Sequence, residues 1–156
     1  MMKLKYSQMP LDRCSNLRKD PQWLQQRLSD DNVRFVVVQN GLNLFSAARQ
    51  PVYVQKSAVA SASLDQLVFL GTDALGSIFA IDIQQLSSDE QQNIEAGNEF
   101  ADIRKYGPLL RDDEAAIFAF GKGLLHWHKT HRYCGRCGAE NASSEAGHSR
   151  RCQNRD

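Results

Sequence analysis

The chain has no apolar run long enough to span a bilayer, which argues against a membrane-spanning helix. No apolar segment follows Met1-Met2-Lys3-Leu4-Lys5, so the start is unlike a secretory signal and a cytoplasmic protein is expected. Internal repeats and low-complexity tracts are missing, which leaves an ordinary globular fold rather than a solenoid or a disordered chain. No phosphate-binding Gly-rich loop and no nucleophile elbow occur, so the best-marked routes to nucleotide hydrolysis and acyl transfer are closed. Charge of one sign is not in excess either: the formal net charge is only +1. Cysteine is scarce, at four residues, but its placement is not random.

The 156 residues are 42% hydrophobic, enough for one domain with a true core and a small appendage. The charge distribution is uneven. From Gly121 to Asp156 seven Lys/Arg face three Asp/Glu, whereas the first 120 residues hold twelve against fifteen. All four histidines, His126, His128, His131 and His148, lie in that basic end. A mildly acidic body and a basic, Cys- and His-bearing tail read as two units. The cations either stabilise thiolates or meet a phosphate-bearing partner.

Asp20-Pro21 is an N-cap followed by proline at the first helical position, and Trp23, Leu24 and Leu28 supply an apolar face up to Asp30-Asp31-Asn32. Strands are expected over 33–39, 42–47, 51–55, 66–71 and 77–83. Asn40-Gly41 is a hairpin turn between the first two, and residues 72–76 form a loop between the last two. Residues 87–98 are polar and expected on the surface. Acidic Asp112-Asp113-Glu114 precede a helical stripe of Ile117, Phe120, Leu124 and Trp127, predicting a helix from about Asp113 to Thr130 with Trp127 in the core. Gly121 and Gly123 disfavour a helix interior unless they allow close packing on the sheet. The fold class is α+β: a mainly antiparallel meander with flanking helices.

This helix delivers the chain to Tyr133-Cys134-Gly135-Arg136-Cys137-Gly138, with Cys152 fifteen residues beyond. Two cysteines two residues apart, each followed by Gly, have the form of a zinc knuckle, and Cys152 stands where a second knuckle begins. Three other readings compete. A thioredoxin-like redox pair sits between strand and helix, unlike this one. A disulfide requires an oxidising compartment. Two incidental thiols are the blandest reading. Cys14, alone in a polar segment, is taken as a bystander, and the histidines as surface residues more readily than as ligands.

The chain resembles the NADH pyrophosphatase branch of the Nudix hydrolases. The matching stretches are Leu11-Asp12-Arg13 with Leu17-Arg18-Lys19-Asp20, Val68-Phe69-Leu70-Gly71, Phe79-Ala80-Ile81-Asp82, Ala115-Ala116 through Gly123 to His128, and His131 through Gly138. The resemblance implies a degenerate Nudix-like domain over residues 1–130, followed by a zinc ribbon over 131–156. It carries zinc ligation onto Cys134, Cys137 and Cys152. It also implies cleavage of NAD(H) to nicotinamide mononucleotide and AMP, NAD-capped RNA as a substrate of some members, and a homodimer. In that family catalysis lies in a Gly-x5-Glu-x7-Arg-Glu-x2-Glu-Glu box whose glutamates hold Mg²⁺ or Mn²⁺. No such box is present: Asp30-Asp31 and Asp112-Asp113-Glu114 lack the spacing. No residue is therefore carried over as catalytic or cofactor-binding. The expectation is a non-catalytic N-terminal part, with a stand-alone nucleic-acid-binding or regulatory ribbon module as the alternative.

The fourth zinc ligand is the open point. The commonest ribbon spacing puts it at position 155, which is Arg155, and guanidinium offers no lone pair to a metal. A wider second knuckle puts it at position 157. Otherwise His148 or Asp156 completes the site.

Overall fold

The computed structural model describes residues 4–154, and its main sheet is built around the β-branched run of strand β1 (Arg34–Gln39). Phe35, Val36 and Val37 of this run are fully buried. Their side chains alternate between two apolar clusters: Phe35 and Val37 enter one, Val36 and Val38 the other. A strand apolar on both faces is stable only inside a sheet covered on both sides.

The hairpin from β1 to β2 (Leu42–Ser46) turns at Asn40-Gly41, whose φ values of 49° and 78° are those of a two-residue primed turn. A short β3 (Tyr53–Gln55) also pairs antiparallel with β1. Next come β4 (Val68–Asp73) and β5 (Gly76–Asp82). The expected five-residue loop between them contracts to Ala74-Leu75, because Asp73 Oδ1 accepts hydrogen bonds from the Leu75 and Gly76 amides and so closes the turn itself.

The mainly antiparallel α+β class holds, but the simple meander does not. The strand order is β4-β5-β1-β2-β6, and β5 runs parallel to β1. Phe79 and Ile81 face one cluster, Ile78 and Ala80 the other, so β5 too has two apolar faces and takes an interior place. The polar stretch lies on the surface as expected, Ile94 excepted, where it forms helix α2 (Ser88–Glu95) and leads into the edge strand β6 (Asn98–Ala101). Its start is a Ser87/Glu90 capping box, and its one buried anchor is Ile94.

Helix α1 (Pro21–Ser29) begins as expected, with Asp20 accepting from the Gln22 and Trp23 amides, and it packs Leu24 with α2 on one face of the sheet. A short α3 (Ile103–Tyr106) and the long α4 (Asp112–Thr130) cover the other face. Gly121 does the packing job: a Cβ there would stand 3.2 Å from Leu70 Cδ1 and 3.4 Å from Ala80 Cβ. Gly123 faces open space. Trp127 is not core. Leu124 and Leu125 still pack on the core cluster, but the Trp127 ring is only partly buried and lies against His128 and His131. Among the described residues no helix is long and apolar enough to cross a membrane.

Candidate metal centre

Beyond α4 the chain makes a two-stranded hairpin, β7 (Asn141–Ser144) and β8 (Ser149–Cys152). Its strands are polar, and from residue 131 to 154 only Gly147 is buried. Such a hairpin has no core of its own and is marginal without an added constraint. Backbone bonds tie the preceding Cys loop to it: Cys134 N donates to Ala139 O at 2.7 Å, and Asn141 N to Arg132 O at 2.7 Å. Gly138 closes the loop with a φ of 72°.

This geometry brings Cys134, Cys137 and Cys152 together, with all three sulfurs within 4.8 Å of one another. Cys137 and Cys152 Sγ are 3.4 Å apart. Tetrahedral zinc with bonds of about 2.3 Å needs sulfurs about 3.8 Å apart, so the donor set fits that ion in kind and spacing. All four cysteines of the chain are free thiols. The amides of Arg136 and Cys137 point at Cys134 and draw its thiol down to about 7. Cys152 is pushed up to about 11, first by its hydrogen bond with Cys137. The cluster thus gives up one proton readily and resists gathering further negative charge, the situation a bound dication relieves.

His148 is not part of the cluster. Its Nδ1 accepts from Arg13 Nη2 at 3.2 Å, and its Nε2 donates to the Phe69 carbonyl of β4. Both ring nitrogens are therefore committed to the body, which removes it as the fourth ligand. Arg155 and Asp156 lie outside the described residues. His126 and His131 are exposed and Cys14 stands apart beside Thr72, so none of them joins the sulfurs.

His128 repeats the His148 arrangement from the other side. Nε2 donates to Gly147 O at 2.6 Å, and Nδ1 accepts from Arg150 Nη1 at 2.7 Å. The tautomers follow from the partners: guanidinium can only donate and a carbonyl can only accept, so both rings are neutral with the proton on Nε2. Burial holds both pKa values below the ordinary 6.5, and the facing guanidiniums add to this. Together the two His–Arg pairs clamp the ribbon turn onto α4 and onto the edge strand β4. The N-terminal segment covers the rest of that edge through reciprocal Asp12–Thr72 backbone bonds. Arg13 also stacks on Phe120, 4.8 Å from its centroid. Nothing in the sequence pairs residue 13 with 148, so this clamp is visible only in three dimensions.

Gly147 sits at the contact with φ of 90°, and a Cβ there would lie 2.8 Å from Val68 Cγ2. Gly147→Ala is expected to weaken docking by about 1–3 kcal/mol, through overpacking and backbone strain. Faster amide exchange across 140–152, with the body's melting unchanged, is the predicted signature. Unchanged exchange there would contradict it.

Two family matches agree with this layout. Residues 31–127 match the NADH pyrophosphatase-like rudimentary NUDIX domain, and residues 129–154 match the NADH pyrophosphatase zinc ribbon domain. No match to a curated protein was found.

Proposed function

Since this chain belongs to the NADH pyrophosphatase-like rudimentary Nudix family, we propose that it is the non-catalytic N-terminal and zinc-ribbon part of an enzyme that hydrolyses the pyrophosphate of NAD(H). The products would be nicotinamide mononucleotide and AMP. The observation that carries this reading is the order of the two family matches, with three clustered thiols inside the second. Cys134, Cys137 and Cys152 are proposed as ligands of a structural zinc. The Nudix box is absent from this sequence, so Mg²⁺ or Mn²⁺ and the attacking water would be held by residues outside it. The rudimentary domain would then support a homodimer and shape the cleft in which the dinucleotide, or an NAD-capped RNA, is cleaved.

The test is direct. Incubated with NADH and Mg²⁺ or Mn²⁺, the chain is expected to release no AMP above a buffer blank. Turnover that chelation abolishes and stringent purification preserves would overturn the non-catalytic assignment.

One observation favours a second reading, a ribbon that contacts nucleic acid. Tyr133 is exposed with the Arg132 guanidinium 5.9 Å from its ring centroid, and Trp127 is released from the core. A steep fall in RNA affinity with added salt would support that reading.

A further inference from the structure

Between α4, the β4 and β5 ends and the ribbon lies a cleft of about 580 Å³. A hollow of about 210 Å³ beside the Asn40-Gly41 turn shares its walls at Asp82, Leu125 and Lys129. The cleft alone has the size of a small-molecule pocket, roughly 300–1,000 Å³.

Its cations are loosely neutralised. Lys129 Nζ stands 3.9 Å from Asp82, and Arg132 Nη2 stands 3.6 Å from Glu140; both cations are more than half exposed. Wide, hydrated pairs of this kind contribute little and exchange partners readily. Arg150 has no carboxylate partner among the described residues: one Nη donates to His128 and the other to the Asn141 carbonyl, and its Nε is buried without a partner. A half-buried guanidinium without a counter-ion is costly, and an anion placed beside it would offset that cost. Leu67, Val68 and Leu125 add an apolar wall, and Asp65, which makes no ion pair among the described residues, adds acceptors.

We propose that this cleft binds a nucleoside monophosphate. The phosphate sits among Lys129, Arg132 and Arg150, where charge-assisted bonds to a dianion replace the two wide pairs. The sugar hydroxyls turn to the Asp65 carboxylate and the base lies along the Leu125 wall. This site uses only residues of the present chain and does not depend on its being part of a pyrophosphatase. Absence of hydrolysis and absence of binding are therefore separate results.

The probes are AMP, adenosine and inorganic phosphate, titrated into the ¹⁵N-labelled chain at constant ionic strength. AMP is expected to give saturable amide shifts around Leu67, Val68, Lys129 and Arg150, with a Kd of about 1 mM or tighter. Adenosine and phosphate are each expected to bind about tenfold more weakly. Lys129→Ala and Arg132→Ala, both at exposed positions, should each weaken AMP about tenfold. Glu140→Gln should tighten it, because it removes the carboxylate that competes for Arg132. Saturation outside the cleft, no saturation at all, adenosine binding as tightly as AMP, or equal AMP affinity in all three variants would each overturn the proposal.

Discussion

Chelation is expected to melt the ribbon and leave the body folded. The physical reason is the contrast in burial between the two parts. From 131 to 154 one glycine alone is buried, whereas the body encloses two clusters centred on Val36 and Phe35, on opposite faces of one sheet. A polar hairpin of two four-residue strands cannot offset its own chain entropy, so its order must come from metal ligation and from the clamp. Structural zinc sites contribute about 10–16 kcal/mol of apparent binding energy, which is ample. Cys137→Ser should act like the chelator. In amide spectra the resonances of 133–144 and 149–154 collapse, while those of β1, β5 and α4 stay in place. Thermal melts by circular dichroism keep their main transition. Loss of that transition on chelation would show that the body needs the metal and would sink the argument.

Acidification is expected to release the ribbon turn from the body. Both clamp histidines are neutral when docked, and both have pKa values held below 6.5 by burial and by a facing guanidinium. Well above pH 6.5 neither the docked nor the free imidazole carries an extra proton, and docking has full strength. As pH falls from about 6.5 towards the lowered values, the undocked imidazoles of His128 and His148 take up protons that the docked ones refuse, so docking weakens progressively. A protonated ring would also turn its Nδ1–H against Arg13 or Arg150, which can only donate. Arg150→Met should show the same loosening at neutral pH, at a cost of about 1–3 kcal/mol for the lost charge-assisted bonds. Amide exchange at 145–152 against pH reads both effects. A profile flat from pH 7.5 to pH 5 in the unmodified chain would refute the clamp.

Several parts of the molecule were legible without coordinates because their signals are local. Asp20-Pro21 caps a helix through the side chain next to it, Asn40-Gly41 turns a hairpin through its own φ preferences, and the spacing of Cys134 and Cys137 fits one small loop. The stripe of α4 placed that helix to within a residue. Ser87 and Glu90 carried an equally local capping signal, and α2 could have been read from it.

Other features depend on partners distant in the chain. Whether β5 lies beside β4 alone or also beside β1 is decided by which apolar faces remain to be covered once all strands are present, and so the expected meander became a mixed sheet. Trp127 fits the helical stripe, yet its burial depends on what packs against that turn of the helix, which the α4 sequence does not contain. His148 shows the same limit most clearly. Its chemistry suits a metal as well as a carbonyl, and by residue type it stands, with Asp156, as an alternative to a ligand at position 157. The fold instead seats it against Phe69 and Arg13, 79 and 135 residues away, where both nitrogens are taken. Residue type and local spacing set what a side chain is able to bind; the long-range packing of the ribbon on β4 sets which of those partners it meets.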